Sequence, residues 1–187
     1  ADQLQALVNA QAATTADLWV MAPMVSDAEE TTWFVDYGKK LGLKTVGVMA
    51  EVPSLAVVAD QVAEVSDFVS IGTNDLTQYT LAADRMLGSV ASYQDPWHPA
   101  VLRLVKMLGD AGAAAGKPVG VCGEAAADPK LAVVLVGLGC TTLSMTPTAL
   151  ADVRAELRTV TLKEAQARAA RALAATTAAD ARDSGSS

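Results

Sequence analysis

Five side chains in this 187-residue sequence have the type and spacing to handle a phosphorylated substrate: Glu51, Asn74, Asp75, Arg85 and Cys122. Three of them fall in one stretch, residues 67–85, which reads DFVSIGTNDLTQYTLAADR. Its apolar run at 68–71 reads as a buried strand. Gly72 permits a sharp turn, and Thr73, Asn74, Asp75 and Thr77 follow where the strand hands over to a helix. A strand end feeding a helix start gathers unpaired backbone N–H groups at the positive end of the helix dipole, which suits a phosphate. In that setting Asp75 can hold a divalent cation and the Arg85 guanidinium can grip phosphate oxygens. Taken singly, these residues leave a second reading open, because Thr-Asn-Asp behind a glycine also caps a helix and an arginine also suits a solvated helix end.

Glu51 ends another apolar run, so its carboxylate and that of Asp75 could converge on one Mg2+ beside a phosphorylated substrate; its plain alternative is a capping residue before Pro53. Cys122 ends a third run, in VGVCGEAAADP, where a cysteine also serves as a small buried hydrophobe. Gly123 would leave its thiol uncovered on one side, and Glu124 offers a nearby carboxylate to orient it. Cys140 has no such company and reads as core. The two cysteines lack metal-type spacing, and in a reducing compartment both stay thiols. His98, the one histidine, sits in DPWHPA ahead of a helix and reads as a turn residue. Trp19, Trp33 and Trp97 read as packing groups.

The elements that must place these residues alternate. Apolar runs at 17–21, 44–49, 68–71, 117–122 and 141–145 read as strands. Helical patterns are expected at 2–14, from Ser26 to Leu41, and at 54–65, 74–83, 98–115, 128–136, 147–157 and 162–175. The stretch 84–99, rich in Gly, Ser, Asp and Pro, is a long loop of the kind that is usually functional. The strands lack polar alternation, as expected of parallel strands covered on both faces. Pro23, Glu51, Asn74, Asp75 and Cys122 all fall at carboxyl ends of strands, where a (β/α)8 TIM-type barrel places its chemistry. A closed barrel needs about 250 residues. The expectation is therefore an incomplete α/β barrel, its last five β/α units and carboxyl-terminal helices over residues 1–175, followed by a flexible tail at 176–187.

Three segments carry a resemblance. GVMAEVPS at 47–54, GTNDLTQYTLAADR at 72–85 and VCGEAAADP at 121–129 resemble, in that order, segments of the phosphoenolpyruvate-utilising enzymes. The QYTLA-x-DR half is most like enzyme I of the bacterial phosphoenolpyruvate:sugar phosphotransferase system, and the likeness extends to about Leu173. The resemblance implies that Glu51 and Asp75 bind Mg2+ and that Thr73, Asn74, Asp75 and Arg85 contact the substrate. It also implies that Cys122 exchanges a proton with the methylene carbon of phosphoenolpyruvate or the methyl of pyruvate, while the Met21–Met24 run shapes the pocket wall. In that family the phosphoryl group passes to a histidine on a separate domain and on to a histidine-containing phosphocarrier protein, and the barrel domain forms a homodimer. The family's arginines on earlier barrel strands have no counterpart here, and Ala1 stands where an arginine is expected. This polypeptide by itself is thus expected to lack phosphotransfer activity. Two other readings are a fragment of pyruvate phosphate dikinase or phosphoenolpyruvate synthase, which the YTLA-x-DR ending disfavours, and a noncatalytic phosphoenolpyruvate-binding regulatory module.

Composition sets outer bounds. A net charge of −7 and a pI near 4.6, with basic residues scattered, argue against nucleic acid as a partner. Mean hydropathy is high at +0.28, yet no apolar run reaches the ~18 residues a membrane crossing needs. The amino terminus does not resemble a signal peptide, so a cytoplasmic location is expected.

Overall fold

A computed structural model describes residues 2–186; Ala1, where an arginine was expected, and Ser187 at the end of the tail lie outside the described residues. The order is α1 (Asp2–Ala12), β1 (Trp19–Ala22), α2 (Ala28–Leu41), β2 (Thr45–Ala50), α3 (Pro53–Val57), α4 (Ala59–Val65), β3 (Val69–Gly72) and α5 (Thr73–Leu81). A 3-10 turn (Gly88–Tyr93) follows, then α6 (Pro99–Ala115), β4 (Val119–Cys122), α7 (Glu124–Ala127), α8 (Pro129–Gly137) and β5 (Thr142–Ser144). After a second 3-10 turn (Pro147–Ala149) come α9 (Leu150–Leu157), α10 (Leu162–Ala174) and α11 (Ala178–Ser186).

All five strands are parallel and lie in sequence order, β1-β2-β3-β4-β5, so every carboxyl end emerges on one side. This is the expected α/β architecture, a partial barrel of five β/α units. The register sorts the side chains onto two faces. One face carries Val20, Val46, Val48, Val69, Ile71, Val119 and Val121, all buried. The other aligns Met21 with Gly47, Met49 with Ser70, Ser70 with Gly120, and Gly72 with Cys122 and Ser144. That second face is open at its β1 end, where Trp19 and Met21 are 45% and 40% exposed, so the expectation of cover on both faces fails there. The apolar runs hid the difference because glycine, methionine and tryptophan on the open face look as hydrophobic in sequence as valine does on the covered one.

Local chemistry fixes the helices. Asp27, one residue later than the cap expected at Ser26, accepts a hydrogen bond from Glu30 N at 2.8 Å and starts α2; Gly42, at φ +104°, ends it. The pattern read as one helix over 54–65 breaks at Val58, whose ψ of 29° interrupts the ladder, giving α3 and α4. Thr161 and Glu164 close a capping box on α10. The α8/α10 contact depends on Gly137: a Cβ there would lie 2.2 Å from the Ala165 carbonyl oxygen.

Residues 176–187 were expected to be flexible, and the structure instead holds α11 there. Thr177 accepts from Asp180 N at 3.1 Å and donates to Asp180 Oδ2 at 2.7 Å, which caps the helix, and Ala181 and Gly185 are buried beneath it. Small side chains gave no hydrophobic signal, yet they allow a close approach.

Candidate functional site

The candidate residues ride on the carboxyl ends of β2, β3 and β4. Glu51 directly follows β2 and is only 4% exposed. Its Oε1 accepts from the backbone N–H of Met24 at 2.8 Å, and Met24 adopts the left-handed conformation at φ +57° to present it. The second oxygen, Oε2, lies over the end of β3: a Cβ on Gly72 would come within 2.3 Å of it. Glycine is therefore what lets this carboxylate bend across the neighbouring strand. Among the described residues no cation pairs with Glu51, and a buried carboxylate with one hydrogen bond is costly unless something positive sits beside it.

Cys122 ends β4, where the register sets it beside Gly72. Its Sγ donates to the Ile71 carbonyl at 3.4 Å. Burial pushes the Cys122 thiol above its ordinary value and the Glu51 charge adds to the push, while a hydrogen bond from the Ser70 side chain opposes both. At neutral pH the group is a thiol, a proton donor. The residues that orient it are thus Ile71 and Ser70; the expected partner, Glu124, is exposed on the cavity wall. Ser70 was legible only through pairing, since it sits on the face of Cys122 two residues before Gly72. Cys140 is buried as expected, its thiol pushed up to about 12 by burial.

Thr73, Asn74 and Asp75 form the first turn of α5. Thr73 is 2% exposed and its hydroxyl donates to the Cys122 carbonyl at 3.4 Å, clasping α5 to β4. Asn74 is half-buried and lines two adjoining cavities. The larger, about 660 Å3, is walled by Asn74, Cys122, Gly123, Glu124, Asp128 and the β5 end at Ser144. The smaller, about 300 Å3, holds Asn74, Arg85, Gln94 and Glu124. Arg85 is exposed, with its backbone N–H donating to Gln78 Oε1 at 2.9 Å. Asn74 and Glu124 line both cavities, so the two adjoin, the larger holding Cys122 and the smaller Arg85, and together they make a bowl at the strand ends.

Asp75 is half-buried in that first turn and lines neither cavity. The structure brings Glu51, Gly72 and Cys122 together, and Asn74 with Cys122 and with Arg85; it records no contact between Asp75 and Glu51. The described residues contain no group of three or more His, Cys, Asp or Glu side chains placed to hold a metal. Any cation at Glu51 therefore needs ligand oxygens from water or substrate. His98 caps α6, its Nδ1 accepting from Ala100 N at 3.2 Å, which agrees with a turn residue. Sequence reasoning missed Asp128, Gln94 and the β5 end as wall residues, because a helix cap and a loop amide carry no local sign of facing a cavity. No helix among the described residues is long and apolar enough to cross a membrane.

The pattern of one family, described as the PEP-utilising enzyme, PEP-binding domain, matches residues 1–162. The chain is 50% identical over 181 residues to a phosphoenolpyruvate-protein phosphotransferase of Streptomyces coelicolor, covering 96% of this chain and 33% of that protein. It is 40% identical over 176 residues to the protein of the same name from Bacillus subtilis, covering 88% and 30%. The chain thus spans about a third of the length of the curated relatives it matches. Among solved structures, a citrate lyase from Burkholderia xenovorans superposes with a TM-score of 0.63 at 15% identity, covering 92% of this chain and 58% of that one. A citrate lyase beta subunit from Mycobacterium tuberculosis, solved with oxaloacetate and magnesium, gives 0.56 at 18% identity, covering 81% and 66%. At such identities these two bear on the fold.

Proposed function

The chain belongs to the PEP-binding domain family of PEP-utilising enzymes, and on that premise we propose that the bowl between Cys122 and Arg85 binds phosphoenolpyruvate during phosphoryl transfer to a histidine. The observation that carries the proposal is the sharing of Asn74 by the two cavities, one holding a protonated thiol and the other a guanidinium without an ion-pair partner among the described residues. A three-carbon phosphate needs both ends served: a cation and amide for the phosphoryl oxygens, and an acid within reach of the methylene carbon.

Each residue has a part in that scheme. Arg85 neutralises phosphoryl charge, and the Asn74 amide donates to a phosphoryl oxygen while Thr73 keeps the turn against β4. Glu51, buried and lacking a positive partner, fits a Mg2+ ion, with Asp75 in the next strand-to-helix turn as its second carboxylate. Such an ion would supply charge neutralisation on the phosphoryl group. When the bridging P–O bond breaks and phosphorus bonds to the histidine nitrogen, the electron pair left on the enolate oxygen forms the carbonyl π bond and the C=C π pair becomes available to bond a proton at the methylene carbon. The Cys122 thiol delivers its proton to the methylene carbon, giving pyruvate as the ketone.

The accepting histidine lies outside these residues. His98 is the single histidine of the sequence, and its ring nitrogen is engaged in capping α6. The phosphocarrier protein, sugar uptake, a homodimer of the barrel and a cytoplasmic location all belong to this proposal at the level of the longer enzyme. The chain alone is expected to bind phosphoenolpyruvate weakly and to transfer nothing.

Proton exchange tests the reading without an acceptor. In D2O with Mg2+, the chain should catalyse replacement of the pyruvate methyl protons by deuterium, followed by NMR, and Cys122→Ala should reduce the rate at least about a hundredfold, the range assigned to a general acid–base group. Exchange that proceeds equally in Cys122→Ala would remove the proton-transfer role.

A further inference from the structure

Outside the bowl, the loop at 84–99 and the last helix share contacts that the scheme above does not use. Trp97 heads the fully buried side chains by size, at 1% exposure. Its indole Nε1 donates to Asp128 Oδ2 at 3.0 Å. The other oxygen of Asp128 caps α8, accepting from Lys130 N at 2.9 Å and Leu131 N at 3.3 Å, and Asp128 lines the larger cavity with Cys122. Arg182 on α11 lays its guanidinium over the Trp97 ring, 5.6 Å from the centroid, and its Nη2 donates to Asp95 Oδ2 at 2.8 Å. Asp95 Oδ1 in turn accepts from Trp97 N at 3.0 Å. The next residue back, Gln94, walls the smaller cavity beside Arg85 and donates its side-chain amide to the Ala83 carbonyl. The end of α11 is fastened by Arg171 Nε donating to Ser184 O at 2.9 Å, with Gly185 set so close to the indole that a Cβ would lie 2.8 Å from it.

We propose that Trp97, latched by Arg182 of α11, is a positioning residue that holds the Asp128 wall of the larger cavity against the Gln94–Arg85 wall of the smaller one. The proposal rests on the reading of the bowl given above. Its physical content is charge placement. With both oxygens engaged, one by the indole and one by the α8 cap, the Asp128 carboxylate is held in one rotamer at the cavity wall, its charge shared with its donors. Freed from the indole, its second oxygen loses that donor, and more negative charge is left on the wall it shares with Cys122, where an anionic substrate must sit. Arg182 acts one step further out, since a cation on an indole face and an ion pair to Asp95 together fix the ring plane that aims the N–H.

The test reads local charge at Cys122 by alkylation of the intact chain with a neutral reagent, iodoacetamide, and an anionic one, iodoacetate. The ratio of the two rates reports the field at the thiol, which looser packing alone would not alter. Cys140 serves as the internal control, because it is 4% exposed and labels only on unfolding. Trp97→Phe and Arg182→Ala should each lower the iodoacetate-to-iodoacetamide ratio at Cys122 by about twofold or more, the change expected of one added charge several ångströms away. Arg182→Lys, which keeps the cation, should restore most of it. Unchanged ratios in both variants with Cys140 still protected would overturn the proposal. Should Trp97→Phe expose Cys140, Arg182→Ala is read with and without Asp128→Asn: a lowered ratio that the asparagine abolishes supports the proposal, and one that persists is the direct loss of the Arg182 charge and overturns it. No phosphoenolpyruvate enters this measurement. Failure of that ligand to protect Cys122 in the wild type would instead count against the function proposed above, whatever the ratios show.

Discussion

Among single residues, Glu51 and Cys122 lie close enough for the carboxylate charge to act on the thiol. The Glu51 carboxylate crosses to the end of β3 only because position 72 has no Cβ. Gly72→Ala should therefore displace Oε2 and weaken Mg2+ binding in the presence of phosphoenolpyruvate by about tenfold, the cost of roughly one charge-assisted contact, while calorimetric unfolding changes little. Cys122 carries a second prediction with a defined sign. Burial and the neighbouring negative Glu51 both raise its thiol. Without metal, iodoacetamide labelling should keep rising with pH beyond the ordinary thiol midpoint, and Glu51→Gln, which removes one of the two causes, should move that midpoint down. A midpoint that does not move would separate the two groups. Both residues were legible in the sequence as strand-end chemistry. Their contact was not, because it depends on the register of β2, β3 and β4 and on a glycine whose role is to be absent from a space.

At the scale of elements, strand positions came through well: the apolar runs at 17–21, 44–49 and 68–71 became Trp19–Ala22, Thr45–Ala50 and Val69–Gly72. Valine-rich runs bounded by Gly and Pro admit little else. Helix ends and breaks were less legible, since Val58 and the separate turn of α7 are set by how each helix meets the strand before it. The clearest miss was α11, whose Thr177-x-x-Asp180 cap precedes residues too small to show an apolar face. Small residues also govern the α8/α10 seam. Gly137→Ala would drive a methyl into the Ala165 carbonyl, a backbone atom that cannot rotate away. We expect a loss of about 1–3 kcal/mol, typical of overpacking, in urea unfolding, with Cys122 alkylation unaffected below the transition.

The whole molecule is built on one sheet with the candidate residues at its strands' carboxyl ends, and its stability has a pH dependence of its own. Cys140 is raised by burial from 9.0 to about 12, so the folded chain keeps this proton where the unfolded chain releases it. Unfolded molecules then bind fewer protons, and stability should fall as pH climbs from about 9 to 12, by an amount on the order of 4 kcal/mol across that window. Cys140→Ala should flatten that alkaline slope, which urea titrations at stepped pH would register. The parallel, sequentially ordered architecture was readable from the alternation of runs; the open face around Trp19 and Met21 was not, since exposure there follows from what the sheet packs against and not from residue type. The bowl was partly readable in the same way: its strand-end members declared themselves, whereas Asp128 and Gln94 arrive through tertiary packing. The most direct test of the central claim is protection of Cys122 from iodoacetamide by millimolar phosphoenolpyruvate with Mg2+. Slowed labelling that vanishes on removing Mg2+ or in the Glu51→Ala, Asp75→Ala double variant is the predicted result, and labelling that ignores the ligand, or protection that survives the double substitution, would contradict it.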